Sequence, residues 1–256
     1  MGHNTHFSLV PQAFSCYFQA LGIGCRPPGR VAFEEKMGGR HDHRRGVFIT
    51  LEGIEGCGKS TQASRLAKRL REEGYRVVET REPGGTPLAE RIREVLLSSS
   101  TEPVTPECEA HLILAGRGQH VAQVISPALQ NGAIVICDRF SDSTLAYQGY
   151  GRGLDLGALV RLNRFATGGL APDLTLLLDL PIAVGLARRR REQDQNRLDR
   201  EARSFYQRVR SGFRELATRS PRRIRMIDAK PDPDRVEAEI AGIVEGFLKR
   251  RGKVRN

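Results

Sequence analysis

The segment Gly53-Ile54-Glu55-Gly56-Cys57-Gly58-Lys59-Ser60 constrains this chain more than any other, because it matches G-x-x-x-x-G-K-[ST]. That pattern functions only where a strand precedes it and a helix follows. Both are legible. Val47 to Leu51 is a short apolar run of strand length, and Ala63, Leu66, Ala67 and Leu70 then share one face at helical spacing. Glycines in such a turn let the backbone wrap closely, so its N–H groups point at phosphate oxygens. The positive end of the following helix adds to the attraction. Lys59 is expected to reach the β- and γ-phosphates of a nucleoside triphosphate, and the Ser60 hydroxyl to ligate Mg²⁺. The phosphate-binding set is therefore Gly53, Glu55, Gly56, Cys57, Gly58, Lys59, Ser60 and Thr61.

Alternation continues downstream. Gly74 closes the first helix, and Arg76 to Thr80 is the next predicted strand. Leu88 to Leu97 and much of Glu107 to Gln130 read as helix. Ala133 to Cys137, Leu174 to Leu178 and Ile224 to Ile227 read as strands. A final helix carries Val236, Ile240, Ile243, Val244, Phe247 and Leu248 on one face. The class is α/β, with a parallel sheet covered by helices on both faces.

Residues 1–45 differ: they are rich in Gly, Pro, His and Arg and hold no sustained period. They are read as a disordered, dispensable extension, with Met37 an alternative start, and 46–256 as the folded domain. Val10 to Ile23 lacks a basic leader and a small-residue cleavage site, and Glu34, Glu35 and Asp42 argue against a transit peptide. No apolar run has the length of a membrane span. The five cysteines (Cys16, Cys25, Cys57, Cys108, Cys137) form no C-x-x-C pair, which favours free thiols in a reducing cytosol over a zinc site. His41 and His43 are read as part of a solvated tail. The net charge of +11 suits an anionic partner, or simply keeps an Arg-rich surface solvated.

Three further segments bear on the acceptor. Arg81-Glu82-Pro83-Gly84-Gly85-Thr86 follows the second strand. Cys137-Asp138-Arg139-Phe140 follows the third, with Ser143-Thr144-Leu145-Ala146-Tyr147-Gln148-Gly149 behind it. Asp194-Gln195-Asn196-Arg197-Leu198-Asp199 lies in an Arg-dense stretch. Loops at strand C-termini are where an open α/β sheet binds ligands. Arginine grips a dianion bidentately, so Arg81, Arg93 and Arg139 are candidates for an acceptor phosphate. Asp138 ends an apolar strand, where a carboxylate is costly unless it serves a cation, so it is a candidate Mg²⁺ holder beside Ser60.

Together with the glycine-rich turn, these segments resemble bacterial thymidylate kinases from about Val47 to Phe247. The resemblance implies the P-loop nucleoside-monophosphate kinase fold with an Arg-rich lid, here about residues 186–198. It implies transfer of the γ-phosphate of ATP to dTMP with Mg²⁺, in dTTP synthesis, by a cytoplasmic homodimer. It assigns Arg81, Arg93 and Arg139 to the dTMP phosphate, and Glu55 to the acceptor sugar. Arg117 and Gln148 go to the thymine edge, with Ser143 and Thr144 nearby; Tyr147 fits either the sugar or the core. Where the family usually stacks a Phe on thymine this chain has Ile113, which covers the ring without a π-face.

Phosphoryl transfer asks for positioning and charge neutralisation rather than covalent work. Some thymidylate kinases carry an arginine inside the glycine-rich turn. That place is Gly56 here, so the lid must supply the cation: Arg190 or Arg191, together with Arg197. The expected catalytic set is Lys59, Arg139, Asp138, Glu55, Arg190, Arg191 and Arg197. Two other readings remain: a P-loop kinase for another nucleotide or deoxynucleoside, and a basic nucleic-acid-binding protein, for which aromatic interleaving is missing. No N-K-x-D guanine signature is present.

Overall fold

A computed structural model describes residues 46–98, 102–190 and 197–252. The expectations for residues 1–45 and for Arg191 to Asn196 fall outside these residues. Five parallel strands form one sheet in the order β2-β3-β1-β4-β5: β1 Val47–Glu52, β2 Val77–Arg81, β3 Ile134–Asp138, β4 Leu174–Asp179 and β5 Ile224–Asp228. Each lies within a residue or so of its predicted place. The chain first builds on one side of β1, with β2 and β3, then crosses to β4 and β5. Ligands bind at such a reversal, outside the strand C-termini.

The pleat sorts the core. Val47, Ile49 and Leu51 of β1 join Ile134 and Ile136 of β3 on one face, under helix α1 (Lys59–Glu72) and the C-terminal helix α9 (Pro233–Arg250). Alternate residues Phe48, Val135 and Cys137 face the other way, onto Val121, Ile125 and Leu129. That second layer comes from a π-helical stretch Val121–Ile125, which continues α3 (Pro106–His120), and from α4 (Ser126–Gln130). Leu66 and Leu70 of α1 are buried as the helical spacing predicts, each contributing about 1.5–3 kcal/mol.

Helix starts follow local chemistry. Thr86 precedes Pro87 of α2 (Pro87–Leu97), and its hydroxyl accepts from Ala89 N–H at 3.1 Å. Thr105 before Pro106 does the same for α3 at 3.2 Å. A short helix α5 (Ser141–Thr144) runs into a π-helical stretch, Leu145–Gly151, that packs on α8 (Arg203–Arg219) through Tyr147, Phe205 and Val209. Helices α6 (Leu156–Thr167) and α7 (Ile182–Arg189) and a 3-10 turn at Arg197–Arg200 complete the described set.

Candidate active site

β1 leads through the glycine-rich turn directly into α1. Gly56 has φ +71°, and a Cβ there would stand 2.2 Å from the Gly185 carbonyl oxygen, so only glycine lets the turn pack on α7. Gly58, at φ +91°, caps α1. Lys59 is buried, yet its Nζ meets only the Ile54 carbonyl at 2.9 Å and Cys57 Sγ at 3.5 Å, with no carboxylate among the described residues. An unpaired buried ammonium is costly alone and suited to an anion. Ser60 Oγ donates to Asp138 Oδ2 at 2.5 Å, while buried Asp138 Oδ1 has no hydrogen-bond partner. Two hard oxygen donors and one orphaned carboxylate oxygen fit a Mg²⁺ ion.

A crevice of about 450 Å³ runs from this turn along the C-terminal edge of β3 and β2 to α3. Glu55, Gly56, Gly58, Lys59, Ser60 and Thr61 line one end, with Asp138 between. Arg81, Arg93 and Arg139 follow, then Ile113, Arg117, Ser143, Thr144 and Gln148. Gly53 and Cys57 shape the turn from behind it.

Arg139 is non-glycine with φ +71°, a strained conformation held by what its guanidinium touches. Nη1 donates to Gly53 O at 2.9 Å and Ser143 Oγ at 3.2 Å, Nη2 donates to Glu55 Oε1 at 3.1 Å, and the group lies 5.0 Å above the Tyr147 ring. Burial opposes its charge, but Tyr147, Glu55 and Asp138 outweigh that and hold its pKa well above the usual value. Glu55 is turned away from the phosphate cradle, with Tyr147 O–H donating to its Oε2 at 2.7 Å. Tyr147 thus belongs to core and crevice at once. Burial, and then the neighbouring Arg81, push Arg93 below the usual guanidinium range. Arg81 is ion-paired to Glu90 at 3.1 Å, and Arg93 Nη1 donates to the Pro83 carbonyl at 2.9 Å.

Arg117 is buried. Its Nε donates to Glu82 Oε2 at 2.7 Å, and its Nη1 to Thr144 Oγ1 at 2.8 Å and to Asn163 Oδ1. Glu82 Oε1 meets His120 Nδ1 at 3.1 Å, and His120 Nε2 meets Thr80 Oγ1 at 2.7 Å. The Arg117 Nη2 has no partner among the described residues and remains for a ligand.

Of the lid arginines, Arg197 lines the crevice, its Nη2 donating to Glu109 Oε2 at 2.5 Å. Arg190 does not. It is exposed at the end of α7, over a separate depression beside Arg203, whereas Arg189 lines both that depression and the crevice, bonded twice to Asp199 at 2.8–2.9 Å. Helical phase decides this: one step along α7 turns the side chain by about 100°. Sequence reasoning also missed the acids behind the site. Glu52, Glu82, Glu109 and Asp142 are all buried. Glu52 alone carried a signal, as a carboxylate at the end of an apolar strand.

The model of the family described as "Thymidylate kinase" matches residues 51–240, most of the chain. The chain belongs to the thymidylate kinase family. A thymidylate kinase of Pseudomonas putida (strain GB-1) is 50% identical over 205 residues, covering 80% of this chain and 98% of that one. One from Thermomicrobium roseum is 54% identical over 204 residues, 79% and 96% of the two chains. The crystal structure of thymidylate kinase from Ehrlichia chaffeensis aligns with a TM-score of 0.63 and 35% identity, over 78% of this chain and 98% of that one. The chain therefore has the P-loop nucleoside-monophosphate kinase fold that its sheet order and glycine-rich turn describe.

Proposed function

We propose that the crevice holds ATP and dTMP end to end, with Lys59 at the donor end and Arg117 and Gln148 at the acceptor base. The chain is an ATP-dependent kinase that phosphorylates dTMP to dTDP, in the supply of dTTP. What carries the residue-level reading is the continuous crevice, with Arg81, Arg93 and Arg139 along its middle and Arg117, Thr144 and Gln148 at its far end.

The acceptor atom is an anionic phosphate oxygen, so no base is needed to take a proton. A bond forms from that oxygen to the γ-phosphorus. The bond from γ-phosphorus to the bridging oxygen breaks, and ADP leaves with its electron pair. Lys59 donates to the β- and γ-oxygens, and the backbone N–H groups of Gly56 to Thr61 hold the triphosphate. Arg81, Arg93 and Arg139 hold the dTMP phosphate in line. Glu55 fixes Arg139 and faces the acceptor sugar. Ser60 and Asp138 would hold Mg²⁺, which supplies charge neutralisation between the phosphates. Arg117 Nη2 faces a thymine carbonyl, Gln148 the N3–H, Ile113 covers the ring, and Ser143 and Thr144 close its edge. Arg197, on the crevice wall, and Arg190, at the end of α7, are the candidate lid cations, and Arg191 lies outside the described residues.

Residues 1–45 are dispensable in this reading, since relatives align over 98% of their length with 80% of this chain. No described helix is long and apolar enough to cross a membrane, in keeping with work in the cytoplasm. Leu88 and Val95 of α2 and Val160, Leu162 and Phe165 of α6 are exposed, Phe165 at 88%, which supports burial against a second copy as a homodimer.

The test is an acceptor panel. ADP release with ATP and Mg²⁺ is measured with dTMP, dUMP, dGMP, dCMP and thymidine. dTMP should give the highest kcat/KM. No ADP above background with dTMP would end this reading.

A further inference from the structure

Glu109 stands in the first turn of α3, 1% exposed, at the far end of the crevice. Its carboxylate gathers side chains from three other places. Gln148 Nε2 donates to Oε1 at 2.8 Å. Arg152 donates from Nε to Oε1 at 3.2 Å and from Nη2 to Oε2 at 3.1 Å. Arg197 Nη2 donates to Oε2 at 2.5 Å. Arg152 is braced in turn by Glu201 at 2.7 Å and by the Phe205 ring at 4.6 Å. Burial alone would favour the acid form, but these donors win and hold the Glu109 pKa below the usual carboxylate value.

An ionised carboxylate only accepts hydrogen bonds. The Gln148 amide therefore has one permitted orientation, with nitrogen toward Glu109. Turning it over would set oxygen against oxygen in a buried place. Gln148 Oε1 has no partner among the described residues, and Gln148 lines the crevice beside Arg117, Thr144 and Ile113. We propose that Glu109 is a specificity-determining positioning residue, which locks Gln148 so that the crevice presents a hydrogen-bond acceptor to the middle of the pyrimidine edge. An acceptor there matches a ring N–H, as in thymine and uracil. It opposes the bare N3 lone pair of cytosine, which leaves two acceptors facing each other. Arg117 acts at the neighbouring exocyclic position and does not depend on Glu109.

This rests on the dTMP reading above, and the two can fail separately. Wild-type protein inactive on dTMP defeats that reading. Glu109→Gln tests the present one, because a neutral amide accepts either face of Gln148 and lets it turn over. The readout is kcat/KM for dTMP divided by kcat/KM for dCMP. The Arg117 contribution is common to both proteins and cancels when the two ratios are compared. The variant ratio should fall by at least about tenfold, the scale of one mismatched buried hydrogen bond, with the KM for ATP unchanged. Should that variant not fold, Glu109→Asp decides. It keeps a charge for Arg152 and Arg197 but withdraws the carboxylate by about one C–C bond, out of reach of Gln148. It should lower the ratio likewise. A folded variant of either kind that keeps the wild-type ratio overturns the proposal, as does one in which only the KM for ATP moves.

Discussion

Replacing Glu52 by glutamine should change how the stability of this protein depends on pH. Glu52 ends β1 with no exposure. Phe140 N–H donates to its Oε1 at 2.8 Å, and Oε2 lies 2.5 Å from Ser143 Oγ. Asp142 stands nearby, itself ion-paired to Arg223 at 2.6 Å. Burial, and then the Asp142 charge, push the Glu52 pKa up from 4.5 to about 8. The folded protein thus keeps a proton on Glu52 that the unfolded chain releases above about pH 4.5. Between about pH 4.5 and 8 the native state binds more protons, so stability falls as pH rises, and the loss is complete above the folded-state pKa. The slope is about 1.4 kcal/mol per pH unit, and the whole window is worth roughly 3–5 kcal/mol. Glutamine mimics the protonated acid in shape and has nothing to titrate. Urea midpoints of wild type and Glu52→Gln are compared from pH 5 to pH 9, so that all other titrating groups cancel. The variant should gain on wild type steadily to about pH 8 and then run parallel. A difference independent of pH would show that Glu52 is ionised in the native state and that the reasoning fails.

The cradle and the base pocket give two further expectations. Lys59→Ala should lower kcat by at least about a hundredfold, by loss of charge stabilisation of the transferring phosphoryl group, with dTMP affinity by calorimetry within about threefold. Near-normal turnover would contradict the cradle assignment. Ile113→Phe should add a stacking face worth about 0.5–1.5 kcal/mol and lower the KM for dTMP roughly two- to tenfold. An unchanged or higher KM would mean the ring lies elsewhere.

Strands, helix faces and the cradle were legible because they are local. Ala63, Leu66, Ala67 and Leu70 announce their face by spacing alone, and G-x-x-x-x-G-K-S dictates the strand and helix around it. Thr-Pro at 86–87 and at 105–106 marks helix starts through a cap and a fixed φ. Helices α6 and α8 were not singled out, although Asp155 caps the first and Phe205 and Val209 seat the second. The lid was the least legible part. Four consecutive arginines, Arg188 to Arg191, look alike in sequence, and only the structure puts Arg189 and not Arg190 on the crevice wall.

The sequence by itself determined an α/β P-loop kinase and the end of the sheet that carries the crevice, because each of these follows from residues close together in the chain. Only the tertiary structure decided the acidic partners. Glu82, Glu109 and Asp142 read as ordinary charged residues, and Glu52 only as a carboxylate ending an apolar strand, until folding brings Arg117, Arg152, Arg223 and Ser143 against them from 35 to 91 positions away. A buried carboxylate is tolerated only when donors converge on it, and convergence over such separations is set by packing, which no local pattern encodes.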